Sequence, residues 1–244
     1  MALSSILLVP LVLAYPLSIF LVPAPMAIKW IRTHGKAPMP DAMQASLVED
    51  SRLWYFAQLL IVATILFLWA IFKPSLLDQL LSAMTNPFRH SVEGIAAAAI
   101  LILSRMAYIM QPNFRTSRLQ EHSFAKGPLT IWLLTFVLAG VIEEVWRACC
   151  ILSVQAGGLG NIISVGGTSL SFVLAHMSGI PGRTVGIWEE LLWELLFGIA
   201  LGTIFIQLNS LIAPYIAGLI FNIFNLCLIR WVGRRWTGGP DDKS

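Results

Sequence analysis

Residues 139–152 read A-G-V-I-E-E-V-W-R-A-C-C-I-L, inside an apolar run that begins near Pro128. Three ionisable side chains, Glu143, Glu144 and Arg147, stand in the middle of that run. A charge at bilayer depth costs roughly 2.5–3.5 kcal/mol on insertion scales, so a cluster of three must be paired, hydrated or protonated. On a helix, Glu143 and Arg147 are four residues apart and Glu144 and Arg147 three, so the guanidinium can reach either carboxylate. One reading is an ion pair that fixes helix packing. The other is an acid/base site buried in the membrane.

The surrounding chain supports a membrane setting. Its 244 residues are 57% hydrophobic and 12% charged, with a mean hydropathy of +0.77. Soluble domains carry about 25% charged residues. The fold class expected is all-α, a polytopic membrane protein of about seven transmembrane helices with an active-site cavity near the midplane. Apolar runs extend along the whole length, so residues 1–244 read as a single integral membrane domain without a soluble module. The three cysteines, Cys149, Cys150 and Cys227, lie in apolar runs without metal-ligand spacing, which argues against disulfides and a zinc–cysteine site. The first apolar run lacks a basic start and is too long for a cleavable signal peptide.

The spans expected are about Leu3–Ile28, Leu53–Phe72, Ser91–Met110, Pro128–Leu152, Ile162–Ser178, Ile187–Leu208 and Leu211–Val232. Between the second and third, L-L-D-Q-L-L-S-A-M reads as a short amphipathic helix at the interface. Ala156–Gly167 is glycine-rich and closes a hairpin, and Asn209-Ser210 makes a tight turn. Of the 16 lysines and arginines, Lys73 and Arg89 fall on one side, Arg147 within a span, and the rest on the other side. The positive-inside rule makes that richer side cytoplasmic. Because the basic residues belong to the topology, the net charge of +3 points to no nucleic-acid partner.

Chemistry could sit in three places. The first is the Glu143-Glu144-Arg147 cluster, where one carboxylate could serve as general base toward water and the other orient Arg147 or a histidine. The second is His176 in S-F-V-L-A-H-M-S-G, which is otherwise a packing residue. At ~1.5 Å per residue, Glu143 lies roughly 13 Å and His176 roughly 21 Å below the outer ends of adjacent spans, so both fall near the midplane. The third is Asn222, roughly 16 Å from the outer end of the last span. It could donate to an oxyanion or merely join two spans by a hydrogen bond, and Asn225 is less well placed. Glu194 lies one turn deeper than Glu189 and Glu190, which sit with Trp188 at the interface, and it could donate a proton into the same cavity.

Taken together, these pieces resemble the CPBP intramembrane proteases, most closely the type II CAAX prenyl endopeptidases. V-I-E-E-V-W-R-A-C-C resembles the glutamate motif. F-V-L-A-H over Phe172–His176 fits the second motif, and L-I-A-P-Y-I-A-G-L-I-F-N resembles the last region. The resemblance covers about Ile131 to Leu226, within a CPBP-like core of about residues 128–228. It implies that Glu143 activates water together with His176, that Glu144 and Arg147 orient the site, and that Asn222 holds the oxyanion. Phe172, Trp146 and Glu194 would stand near the substrate. The substrate implied is a prenylated peptide or another isoprenoid-bearing lipophilic molecule, met in the lipid bilayer. The membrane would be the endoplasmic reticulum in a eukaryote or the plasma membrane in a bacterium. No cofactor is expected, although one histidine and two glutamates could supply three zinc ligands.

The sequence departs from the family pattern twice. The family reads E-E-x-x-x-R, whereas only Val145 and Trp146 separate Glu144 from Arg147 here. Either Arg147 is rotated by about 100° around its helix or one turn is overwound. Gly218 stands where the family places a second histidine, four residues before the asparagine. That loss admits two other functions. The scaffold could cyclise a terpenoid or transform another lipophilic metabolite, with a protonated glutamate as acid and Trp146, Trp188 and Trp193 stabilising cations. Alternatively, the chain could be an inactive membrane adaptor for a lipidated partner.

Overall fold

The computed structural model describes residues 58–110, 129–177 and 187–236. Regular structure among them is entirely helical: α1 Gln58–Phe72, α2 Pro74–Ser82, α3 Pro87–Ile109, α4 Leu129–Ala156, α5 Asn161–Met177, α6 Ile187–Leu208 and α7 Ile212–Trp236. The protein is thus an all-α polytopic membrane protein. Among the described residues, three helical stretches are long and apolar enough to cross a membrane: Pro87–Ile109, Leu191–Leu208 and Ile212–Trp231. The pair α1–α2 makes a fourth if counted as one bent span. The expected first span lies outside the described residues.

The expected elements appear with their reasons visible. Between α1 and α2 the chain turns by 120°. Pro74 lacks an N–H, clashes with the preceding turn and disfavours helical backbone at Lys73. Lys73 accordingly adopts φ −147° and ψ 56°. The amphipathic α2 then buries Leu76 and Leu80. The hairpin between α4 and α5 closes with Gly158 at φ +86°. Its N–H donates to the Gln155 carbonyl at 2.9 Å, and the Leu159 N–H reaches back to Val154 at 3.3 Å. This is the glycine-dependent helix stop in which reversed hydrogen bonds satisfy the last carbonyls. The Asn209 turn has φ +44°, a conformation asparagine tolerates.

The chain divides into two compact units. The first comprises Met1–Thr85 and Ile142–Leu211. Its core joins Ile65 and Trp69 of α1, Leu76 and Leu80 of α2, Ala148, Cys149, Ile151 and Leu152 of α4, Val165 of α5 and Phe205 of α6. After the Asn209 turn, the Leu211 N–H donates to the Ala83 carbonyl at 2.8 Å. Helices α5 and α6 pack closely at small residues, as membrane helices do. A Cβ on Gly198 would stand 3.1 Å from the Ser169 Cβ, and one on Gly202 would stand 3.2 Å from Val165 Cγ1.

The second unit comprises Asn86–Val141 and Ile212–Ser244. Here α3 packs on α7 so closely that a Cβ on Gly94 would lie 2.6 Å from the Ala213 carbonyl oxygen. The Tyr215 hydroxyl donates to the Val137 carbonyl at 3.4 Å, and its ring lies 3.3 Å from a Cβ built on Gly140. At the start of α3, one Glu93 oxygen accepts from Arg89 at 3.0 Å and the other lies 2.7 Å from His90 Nδ1.

Candidate active site

Helix α4 carries both carboxylates and the arginine on consecutive turns, and it is continuous α-helix through this stretch. No turn is overwound, so the shorter spacing to Arg147 appears as a rotation of about 100° around the axis. Of the two carboxylates within reach of Arg147, Glu144 forms an ion pair with it. Arg147 Nε donates to Glu144 Oε2 at 3.1 Å, and both side chains are almost wholly buried. Glu143 precedes it half-buried, and Trp146 is fully buried.

Two further contacts hold the guanidinium. Its central carbon lies 4.6 Å from the centroid of the Phe172 ring on α5. At that distance the ring face attracts the cation, and more strongly where water is excluded. On the other helix of the pair, the Gly198 carbonyl accepts from Nη1 at 3.4 Å. The absence of a side chain at Gly198 permits the close approach to Ser169 that characterises this crossing. Buried charge is tolerated in such a place only when paired and hydrogen-bonded. Glu144, Phe172 and Gly198 meet most of that requirement from three helices. Nη2 is buried and has no hydrogen-bond partner among the described residues.

The sequence-derived site residues therefore divide into groups. Glu144, Arg147 and Phe172 are brought together. Glu143 and Glu194 are half-buried on α4 and α6 of the same unit. His176 falls on α5, one turn beyond Phe172, and its side chain lies outside the described residues. The same holds for Trp188, Glu189 and Glu190 at the start of α6, whereas Trp193 is half-buried. Asn222 and Asn225 are half-buried on α7 in the second unit, where Gly218 is buried.

Gly198 is the contributor that sequence reading missed. The signal was the pair Gly198 and Gly202 four residues apart on an apolar helix, which marks a close helix crossing. Between these same helices, Asn161, Ile162, Val165, Gly166, Ile199, Thr203, Ile206 and Gln207 line an open groove of about 360 Å³. It lies toward the hairpin end of α5, away from Phe172. Among the described residues, no three His, Cys, Asp or Glu side chains gather as a metal site requires. With Glu144 engaged by Arg147, a zinc drawing on Glu143, Glu144 and His176 would have to share a ligand carboxylate with a cation, which fits poorly.

No curated protein and no solved structure matches the chain. Residues 125–224 match the family model described as Rce1-like, type II CAAX prenyl endopeptidase Rce1-like. This range agrees with the stretch picked out by the three motifs. The segment carrying Glu143, Glu144, Arg147, Phe172, His176 and Asn222 is thus an Rce1-like region, consistent with the CPBP intramembrane protease family that the sequence resembles.

Proposed function

We propose that the protein is an intramembrane hydrolase that cleaves a prenylated peptide near its C-terminus. The buried Glu144–Arg147 pair, stacked on Phe172 inside the Rce1-like region, carries this reading. By the motif resemblance Glu143, half-buried beside that pair on the same helix, is the carboxylate that does the chemistry. Preorganised polar groups in a water-poor site are what acyl transfer requires.

In this reading Glu143 takes a proton from a water molecule that His176 helps to orient, and the water oxygen attacks the scissile carbonyl carbon. The tetrahedral intermediate collapses, the C–N bond breaks, and the proton held by Glu143 passes to the leaving amine. Glu144 acts by holding Arg147, and Glu143, as a positioned proton-transfer group, contributes about 10²–10⁴ in rate.

The test is cleavage of a farnesylated CAAX peptide by detergent-purified protein, with products read by mass spectrometry. Wild type should release the C-terminal tripeptide, whereas Glu143→Ala and His176→Ala should not. A wild-type preparation that leaves the peptide intact while a known CAAX endopeptidase cuts it would overturn the proposal.

A further inference from the structure

We infer that the groove between α5 and α6 is a binding site for a glycerolipid of the bilayer, with one acyl chain along its floor and the ester linkage at Asn161 and Gln207. The groove lies within the first compact unit, has a volume of about 360 Å³ and is open on its outer side. It does not depend on the hydrolase reading. Its lining is ordered by polarity. Asn161 begins α5 and Gln207 stands next to the end of α6, so both carboxamides sit at the hairpin end. Val165, Gly166 and Ile199 line the deeper part. Gln207 and Ile199 are eight residues apart, about 12 Å along the helix. One leaflet of a hydrocarbon core is roughly 15 Å deep. Leu191–Leu208 is long and apolar enough to cross a membrane, so the groove begins at the end of a span and runs inward through most of a leaflet.

Gly166 keeps the groove open. A Cβ built on it meets nothing within 4 Å, whereas one on Gly202 would stand 3.2 Å from Val165 Cγ1. The helix crossing therefore needs Gly202 and does not need Gly166. Glycine inside a helix is unfavourable unless something must approach the backbone closely. At Gly166 a larger side chain would occupy the space that a hydrocarbon chain takes. The rim selects the occupant. Among the described residues no ionisable side chain lines the groove, so headgroup charge is not what it recognises. Carboxamides donate and accept without charge. Asn161 Oδ1 accepts from Gln155 Nε2 at 2.8 Å, which leaves the Asn161 amino group to donate. A glycerolipid carries an ester carbonyl, an acceptor, directly above its acyl chain, at the depth where hydrocarbon begins. The prenyl tail of a peptide substrate runs the other way. Entering from the Phe172 side, it would set its apolar end among the two carboxamides, where polar groups gain nothing from it.

The test uses the full chain in detergent with a phosphatidylcholine that carries a diazirine halfway along one acyl chain. Irradiation and peptide mass spectrometry map the labelled residues. Val165, Ile199 and Thr203 should be labelled more than Leu192, which is 54% exposed on α6 outside the groove. Gly166→Leu should lower groove labelling at least about tenfold, the equivalent of two lost methylene contacts, and leave Leu192 unchanged. Gly166→Ala, whose methyl group meets nothing, should melt like wild type. Unlabelled ester-linked phosphatidylcholine should compete about fivefold better than its ether-linked analogue, the worth of one hydrogen bond. That preference should vanish in Asn161→Leu/Gln207→Leu, a pair of exposed positions whose replacement leaves the core intact. Phosphatidylglycerol should compete as well as phosphatidylcholine. Groove labelling no stronger than at Leu192 would mean ordinary surrounding lipid and overturn the inference. So would displacement by a farnesylated peptide but not by unlabelled phosphatidylcholine, which would assign the groove to a substrate chain. Equal competition by ester and ether lipids, or a preference for phosphatidylglycerol, would overturn the role given to the two carboxamides.

Discussion

Replacing Glu144 with alanine would leave the Arg147 cation buried without its counter-charge. What remains is the Gly198 carbonyl at 3.4 Å and the Phe172 ring at 4.6 Å. Neither cancels a full charge. Removing one partner of a buried ion pair typically costs about 3–5 kcal/mol, because the other is stranded without water. For a chain of this size each kcal/mol lowers the melting temperature by about 2–4 °C, so a drop of roughly 6–20 °C is expected. The double variant Glu144→Leu/Arg147→Met removes both charges at similar volume. It should recover most of the loss, since apolar replacements of a buried pair are often neutral or stabilising. Tryptophan fluorescence during heating in detergent reads both variants, and Trp146 is fully buried next to the pair. The cycle isolates the coupling between the two side chains. The reasoning is wrong if Glu144→Ala melts within about 2 °C of wild type, or if the double variant is no more stable than the single one.

Other outcomes follow from the packing. Gly94→Ala gains about 1 kcal/mol of helix propensity but drives a methyl group to 2.6 Å from the Ala213 carbonyl. Overpacking costs typically 1–3 kcal/mol, so a lower melting temperature is expected and an unchanged or higher one would show that α3 and α7 can separate cheaply. Gly158→Ala should cost about 1–2 kcal/mol at φ +86° and Gly158→Asn less; equal melting temperatures for the two would contradict the left-handed stop. Cys227 is exposed and Cys149 and Cys150 are buried, so a small membrane-permeant maleimide should modify Cys227 alone in the native protein. Prompt modification of Cys149 or Cys150 would contradict the packing of α4.

Much of this architecture was legible because glycine, proline and asparagine act locally. The hairpin glycines, the Asn209 turn and the amphipathic segment after Pro74 each carried their own conformational reason, and the helix limits follow from them. The ion-pair partner was not legible in the same way. Spacings of three and four residues both allow contact, and the choice of Glu144 depends on where α5 and α6 press against α4. Phe172 was read as a motif position, yet its role as a platform for a guanidinium appears only when two helices are side by side. The Gly198 carbonyl is backbone and leaves no letter in the sequence. The family likeness directed attention to the right segment, while the altered arginine spacing needed a continuous helix before it could be interpreted as rotation.

The break at Lys73 has a consequence for how the first unit floats. Lipid tails offer nothing to a backbone group that has left its helix, so a sharp corner settles where headgroups or water can meet it. Its lysine can stretch an ammonium toward the same layer. On the reading of α2 as an interfacial amphipathic helix, the corner marks the level at which α1 ends and α2 runs along the surface. Inserting or deleting residues before Pro74 would shift that mark and make the unit ride deeper or shallower.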